Sequence, residues 1–269
     1  MGEKIEQTEV TKTITRFLKG KLMEIGKNGY VVGLSGGIDS AVSAALAVRA
    51  VGPEQVLGVL MPYRTSSEAS ERDALKLVAS LGIEHRQVDI TPMIDAYFSS
   101  ITDDNRLRAG NKMARERMAI LFDIAQELDR LVLGTGNRTE ICLGYTTWFG
   151  DSACSLNPIG QLYKGEVRSF ARELGVPQSI IDKPPSADLW QDQTDEAEIG
   201  VTYEQIDAIL RRIIDDGELS ISVLESEGLD AVDISRVVSM TNRNAFKRAM
   251  PHVLDLGKGK IPTDIGLEE

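Results

Sequence analysis

The residues with the clearest chemical meaning are Ser35-Gly36-Gly37-Ile38-Asp39-Ser40, which follow a short apolar run, Tyr30-Val31-Val32-Gly33-Leu34. Two adjacent glycines after a strand permit positive φ and let backbone approach a ligand closely. The N–H groups of a helix that starts at once then face an anion, and the helix dipole adds roughly 0.3–1 kcal/mol. Ser35 and Ser40 add hydroxyl donors. Asp39 is the odd member. A carboxylate inside a phosphate-binding turn repels phosphate unless it holds a cation, so it points to a Mg2+ ligand. No Gly-Lys-Ser/Thr follows, which excludes a Walker A loop. Read locally, a tight turn with Asp39 and Ser40 capping a helix accounts for the same residues.

Other chemistries lack their residues. The only cysteines are Cys142 and Cys154, with no Cys-x-x-Cys, and the only histidines, His85 and His252, are far apart. This argues against zinc, an iron–sulfur cluster and a disulfide scaffold, and for a reducing, cytoplasmic setting. The formal net charge of −11 opposes binding to nucleic acid or an anionic membrane unless a basic site is built locally. The charged N-terminal stretch is not a signal peptide, and there is no apolar run of membrane-spanning length.

The elements that must position the loop are legible as alternation. Val10, Ile14, Phe17, Leu18, Leu22 and Ile25 fall at helical spacing before Gly26. Strands are expected at 30–34, 55–61, 83–90 and 130–133, with helices at 39–50, 68–81, just after Pro92, and about 113–128. Beyond residue 155 strand signals fade, and helices are expected at 165–174, 203–215 and about 231–248. Strands separated by helices of this length predict an α/β fold: a Rossmann-like open parallel sheet with helices on both faces and a helical C-terminal part. Ligands bind such sheets at the carboxyl ends of the strands, so each strand end is a place to look. The 269 residues, 42% hydrophobic and 26% charged, allow one large domain or two small ones.

Ser-Gly-Gly-x-Asp-Ser at the end of a first strand resembles the loop of the N-type ATP pyrophosphatases, which cleave ATP between the α- and β-phosphates and adenylate an acceptor oxygen. Further motifs narrow the resemblance to the NAD synthetases. These are Gly110-Asn111-Lys112-Met113-Ala114-Arg115-Glu116-Arg117-Met118, similar to the opening of a long helix in that family, and Gly134-Thr135-Gly136-Asn137-Arg138-Thr139-Glu140, similar to its second nucleotide loop. Gly144-Tyr145-Thr146-Thr147-Trp148-Phe149-Gly150-Asp151 and Asn157-Pro158-Ile159 resemble its dinucleotide-facing stretch. Lys183-Pro184-Pro185-Ser186-Ala187-Asp188-Leu189 with Gln193-Thr194-Asp195-Glu196 resembles a mobile loop over the site, and Phe246-Lys247-Arg248 a closing His-Lys-Arg. The likeness runs in order along nearly the whole chain.

The resemblance implies amidation of deamido-NAD+ to NAD+ with ammonia, through an adenylated intermediate, with ATP as co-substrate and Mg2+ as cofactor. It assigns the ATP phosphates to the loop of Gly33, Leu34, Ser35, Gly36, Gly37, Ile38, Asp39 and Ser40, with Thr135, Lys164 and Ser186 as further ATP contacts. Asp39 and Glu140 would share the metal. Asp39, Lys164 and Asp151 would form the catalytic set, Asp151 taking a proton from ammonium. Arg115, Phe122, Tyr145, Trp148 and Lys247 would contact deamido-NAD+. The segment 183–198, rich in Pro, Asp and Gln, would order when ATP binds. The family also implies a homodimer, and apolar residues on more than one face of the 113–128 helix agree with one, although a core helix accounts for them equally.

The sequence departs from the family pattern at three places. Trp148 stands where many members carry a substrate-binding lysine, Ser155 where they carry an aspartate, and Phe246 where they carry a histidine. Trp148 would offer stacking on adenine in place of charge. The motifs run from Gly33 to Lys247, leaving no room for a glutaminase, so one domain over 1–269 using free ammonia is expected. Two alternatives stay open at this level: a sister ATP pyrophosphatase with another acceptor, and a non-catalytic nucleotide-binding module.

Overall fold

The computed structural model describes residues 2–101, 105–186, 193–249 and 254. Strands β1 (Tyr30–Gly33), β2 (Val56–Leu60), β3 (Glu84–Gln87) and β4 (Leu131–Leu133) form one parallel sheet in the order β3-β2-β1-β4. Val31 stands opposite Leu57 on one side and Val132 on the other. Helix α1 (Gly2–Ile25) precedes the strands, and between and after them run α2 (Ile38–Val51), α3 (Glu68–Leu81), α4 (Thr91–Phe98), α5 (Arg106–Glu127), α6 (Arg138–Leu143) and α7 (Lys164–Glu173). The remainder is helical: α8 (Gln178–Ile181), α9 (Asp195–Ile199), α10 (Tyr203–Leu210), α11 (Ile221–Ser226) and α12 (Ala231–Arg243).

The two-residue period of the strands divides the core. Tyr30, Val32, Val56, Leu60, Leu131 and Leu133 pack with apolar residues of α1, α2, α3 and α7. Val31, Leu57, Val59 and Val132 point the other way, onto Ile94 of α4 and Met113, Met118, Leu121 and Ile124 of α5. Both faces are therefore covered, as the unbroken apolar runs of β1, β2 and β4 require. A third cluster joins Leu143, Ile199, Ile206, Ile209, Leu224, Ile234 and Val237, binding α6 to the C-terminal helices. The expected α/β architecture with a helical C-terminal part is what forms.

Several boundaries differ from expectation for local reasons. The third strand is shorter than 83–90, because β3 lies at the sheet edge, largely exposed. Helix α5 begins at Arg106 because the Asn105 side chain accepts the Arg108 N–H at 3.0 Å, so 110–112 lie inside it and do not open it. The 203–215 helix ends its α-type turns at Leu210 and closes with a π turn, Arg211–Asp215. Asn244 separates α12 from a short 3-10 turn, Ala245–Arg248. Within the expected mobile segment, residues 187–192, which include Ala187, Asp188 and Leu189, lie outside the described residues. Among the described residues no helix is long and apolar enough to cross a membrane.

The glycine pair meets its expected requirement at one position. Gly36 has φ +73°, and a Cβ there would lie 2.1 Å from the Ser70 carbonyl oxygen. Gly36→Ala should therefore lower unfolding free energy by roughly 1–3 kcal/mol. Urea denaturation measures this, with calorimetry of ATP binding expected to show the same variant impaired.

Candidate active site

The order β3-β2-β1-β4 contains a reversal between β1 and β4. The connection after β1 leads to α2, on the face shared with α1 and α3, whereas the connection after β4 leads to α6, in the C-terminal cluster. Connections leaving in opposite directions open a crevice at the carboxyl ends of the two strands. A cavity of about 1750 Å³ lies there. It is lined by Gly33, Leu34, Ser35, Gly37, Ile38, Asp39 and Ser40 after β1 and by Thr135 and Glu140 after β4. Tyr145, Asp151, Lys164, Ser186 and Lys247 complete the expected residues on its wall.

At the floor, Lys164 is 2% exposed, the side chain of the first residue of α7. Its Nζ donates to Asp39 Oδ2 at 2.6 Å and to Glu140 Oε1 at 3.2 Å. The Tyr203 ring lies beneath the ammonium, 4.8 Å from Nζ to centroid. Burial alone would lower the Lys164 pKa, but the two carboxylates outweigh it and the pKa is raised. Glu140 is pushed up to about 8, first by burial and then by Asp39, with Lys164 opposing. Asn137 fixes the geometry. Its Nδ2 donates to Asp39 Oδ1 at 2.8 Å, and its Oδ1 accepts the Glu140 N–H at 3.0 Å. The Glu140 carboxylate returns the contact by accepting the Asn137 N–H, closing a capping box on α6.

These groups fit Mg2+. Asp39 Oδ2 and Glu140 Oε1 both contact the Lys164 ammonium, so two hard oxygen donors stand close enough to share a cation when that contact is exchanged. Among the described residues no cluster of three or more His, Cys, Asp or Glu forms a protein-only cage. Mg2+ typically takes one or two carboxylates and completes its shell with waters and substrate phosphates.

The β1 loop behaves differently from expectation in one respect. Ser35 and Ser40 are tied into the loop: their hydroxyls are 3.2 Å apart, Ser35 Oγ accepts the Gly37 N–H at 3.2 Å, and the buried Ser40 Oγ donates to the Gly37 carbonyl at 3.0 Å. No side chain caps α2. What the loop offers an anion is thus backbone N–H at a helix start, with the serines holding its shape.

On the opposite wall, Asp151 accepts from the Thr146 hydroxyl and from the Thr147 N–H at 2.7 Å. Desolvation raises its pKa, against those hydrogen bonds and the Lys247 charge. Lys247 donates to the Gly144 and Thr146 carbonyls, each at 2.8 Å, and burial lowers its pKa. The Tyr145 hydroxyl donates to Glu198 at 2.6 Å and Asp195 at 3.3 Å. Lys183 also lines the cavity, with Nζ donating to Ser70 Oγ at 2.7 Å.

Gly36, Arg115, Phe122 and Trp148 do not line this cavity. Gly36 is packed on Ser70. Arg115 Nε donates to the Trp148 carbonyl at 3.2 Å, and Trp148 stacks on Phe149 at 4.5 Å and meets Phe246 edge-on at 5.2 Å. Phe122, two turns beyond Arg115, is 42% exposed. The sequence reading missed Asn137, Asp195 and Tyr203 as parts of the floor. Asn137 was recoverable, since Asn-x-x-Glu is a capping-box signature; the other two carry no local signal.

The model of the NAD synthase family matches residues 10–251. The chain belongs to this family. The NH3-dependent NAD+ synthetase of Chlorobaculum tepidum is 46% identical over 247 residues, covering 92% of this chain and 89% of that protein. Among solved structures, an NMN synthetase from Francisella tularensis superposes with TM-score 0.83 at 36% identity, covering 93% of this chain and 99% of that one. The NH3-dependent NAD synthetase of Campylobacter jejuni, solved with a nitrate ion, gives TM-score 0.79 at 34% identity, with coverage of 93% and 99%. Family membership accounts for the β1 and β4 loops meeting as they do.

Asn137→Ala removes both the helix cap and the Asp39 contact. It should cost about 0.5–2 kcal/mol from the cap, measured by denaturation, and weaken ATP binding in the presence of Mg2+.

Proposed function

We propose that this chain amidates the nicotinate carboxylate of deamido-NAD+ with ammonia, cleaving ATP to AMP and pyrophosphate. The observation that carries the reading is the convergence of Asp39, Glu140 and Lys164 at the strand-order reversal, in a chain of the NAD synthase family. A free carboxylate is a poor acyl donor, so a carboxylate oxygen first attacks the α-phosphorus and pyrophosphate leaves. Ammonia then attacks the activated carbonyl, AMP departs, and the surplus proton needs an acceptor. Asp151, whose raised pKa suits a proton acceptor, takes that role.

Each neighbour has a task in positioning and charge compensation. The first-turn N–H groups of α2 hold the triphosphate, with Thr135 and Ser186 alongside. Asp39 and Glu140 hold Mg2+, which supplies charge for the pyrophosphate leaving group. Lys164 exchanges its carboxylate contacts for phosphate oxygen as negative charge builds. Tyr145 forms an aromatic wall for nicotinate. Pro184, Pro185, Gln193 and Thr194 line the same cavity. The whole chain acts as one catalytic unit, and free Cys142 and Cys154 agree with a cytoplasmic setting.

A second reading concerns the acceptor. The Francisella protein is an NMN synthetase, and here Trp148 and Phe246 pack on each other outside the cavity, leaving the adenosine half without the charged groups seen in other members. A mononucleotide acceptor fits the same chemistry. Mixing protein, ATP, Mg2+ and ammonium with either acceptor, and quantifying AMP and the amide, should give turnover with deamido-NAD+; higher kcat/KM with nicotinate mononucleotide favours the second reading. Lys164→Ala should lower kcat by roughly 10²–10³-fold. Asp151→Asn should leave pyrophosphate release intact and slow amidation, and unchanged amidation removes Asp151 from its role.

The reading includes a homodimer. Phe149 is held at φ +60°, unfavourable for a bulky side chain, and is 50% exposed. Phe246, edge-on to Trp148, is 49% exposed, and Phe122, two turns along α5 from Arg115, is 42% exposed. Sedimentation should give a dimer for the wild type and monomer for Phe122→Asp.

A further inference from the structure

Helix α10 holds two polar groups one turn apart on a buried face. Tyr203 places its ring beneath the Lys164 ammonium, and Asp207, at i+4, reaches the backbone of the same residue's helix. Asp207 Oδ2 accepts the Gly165 N–H at 2.8 Å, and Oδ1 accepts from the Thr139 hydroxyl. Thr139 Oγ1 in turn accepts the Lys164 N–H at 3.0 Å. Thr139 is 0% exposed and Asp207 7% exposed.

The path is closed and directional. Thr139 precedes Glu140 in α6, and Lys164 opens α7, so the two groups that meet Asp39 come from separate helices. One backbone hydrogen bond, from the Arg138 N–H to the Leu162 carbonyl at 2.8 Å, links the approach to α7 with the start of α6; the Thr139 hydroxyl carries the link to Lys164 itself, using its one proton toward Asp207 and a lone pair toward Lys164 N. Asp207 adds a second cap to α7, where the Glu166 carboxylate already accepts the N–H of the N-cap residue Tyr163 at 2.8 Å. A carboxylate at that helix start is favoured by the dipole. Gly165 leaves room for it, since a Cβ there would lie 3.3 Å from Asp207 Oδ2. Helix α10 is itself fixed by buried Ile206, Ile209 and Leu210.

We infer that Asp207 and Thr139 are positioning residues for the adenylation step, a clamp that holds the start of α7 against α6 so that Lys164 and Glu140 meet at one point. The inference rests on the proposed amidation and goes beyond it, since neither residue lines the cavity. The clamp sets where the Lys164 ammonium stands as the phosphate charge develops. Its loss should therefore appear in kcat more than in KM for ATP.

Thr139→Val keeps the shape and removes both hydrogen bonds. It should lower kcat for pyrophosphate release by roughly tenfold to a hundredfold, with KM for ATP changed by less than about threefold. Thr139→Ser should recover most of the rate. In a Lys164→Ala background the same Thr139→Val change should cost less than about twofold, because the group it positions is gone. Asp207→Ala should follow Thr139→Val if it folds; the threonine series decides the matter if it does not. Wild-type kcat in Thr139→Val, or an equal fold loss with and without Lys164, overturns the clamp while leaving the amidation standing. No release of AMP by the wild type with any nicotinate acceptor overturns the amidation and the clamp together.

Discussion

One buried ammonium organises this molecule. Lys164 is sequestered from water beside Asp39 and Glu140, and each group is tolerable only because the others are present. Taking a charge out of water costs several kcal/mol, and an unpaired partner would carry that cost alone. Asn137 holds both carboxylates, Asp39 through its side-chain amide and Glu140 through its backbone N–H, and the Tyr203 ring lies against the ammonium. The arrangement is stable at rest yet holds its charges ready for another polyion. Under the proposed function, a metal and a triphosphate would bring the compensating charges for the lysine to change partners.

The sheet makes this meeting possible. Because β4 pairs with β1 on the side opposite β2, the two loops that carry Asp39 and Glu140 leave adjacent strand ends and diverge. The crevice wall carries both signs, with Lys164, Lys183 and Lys247 set among Asp39, Glu140, Asp151, Asp195 and Glu198, so the acidic excess of the chain is offset locally there. Global charge thus governs what the surface repels, and local geometry governs what the crevice accepts.

Much of this was legible in the chain. Short apolar runs marked β1, β2 and β4, because burial on both sheet faces demands them, and helical apolar spacing marked the first helix. The glycine loop and Asp39 were conspicuous, because a carboxylate in such a turn has few uses. Other features were not readable locally. Lys164 in isolation looks like any lysine at a helix start; its burial depends on Asp39 and Glu140 arriving from elsewhere. Asp195, Tyr203 and Asp207 carry no pattern of their own, since their roles arise from helices packed long after the strands. Trp148 and Phe122 show the reverse case, in which residue type suggested a pocket wall and the backbone turned the side chains away from the cavity.

The strand reversal has a temporal consequence. Asp39 and Lys164 are 125 positions apart in the chain, and Asn137 is 98 from Asp39. Chains fold as they emerge from synthesis, N-terminal parts first. The glycine loop and β1 can therefore form while the residues that complete the charge cluster are still being added. Until α7 docks, the glycine loop and Asp39 stand without the buried lysine, and Tyr203 and Asp207 are added later still, so the charge cluster closes only when the C-terminal helices pack.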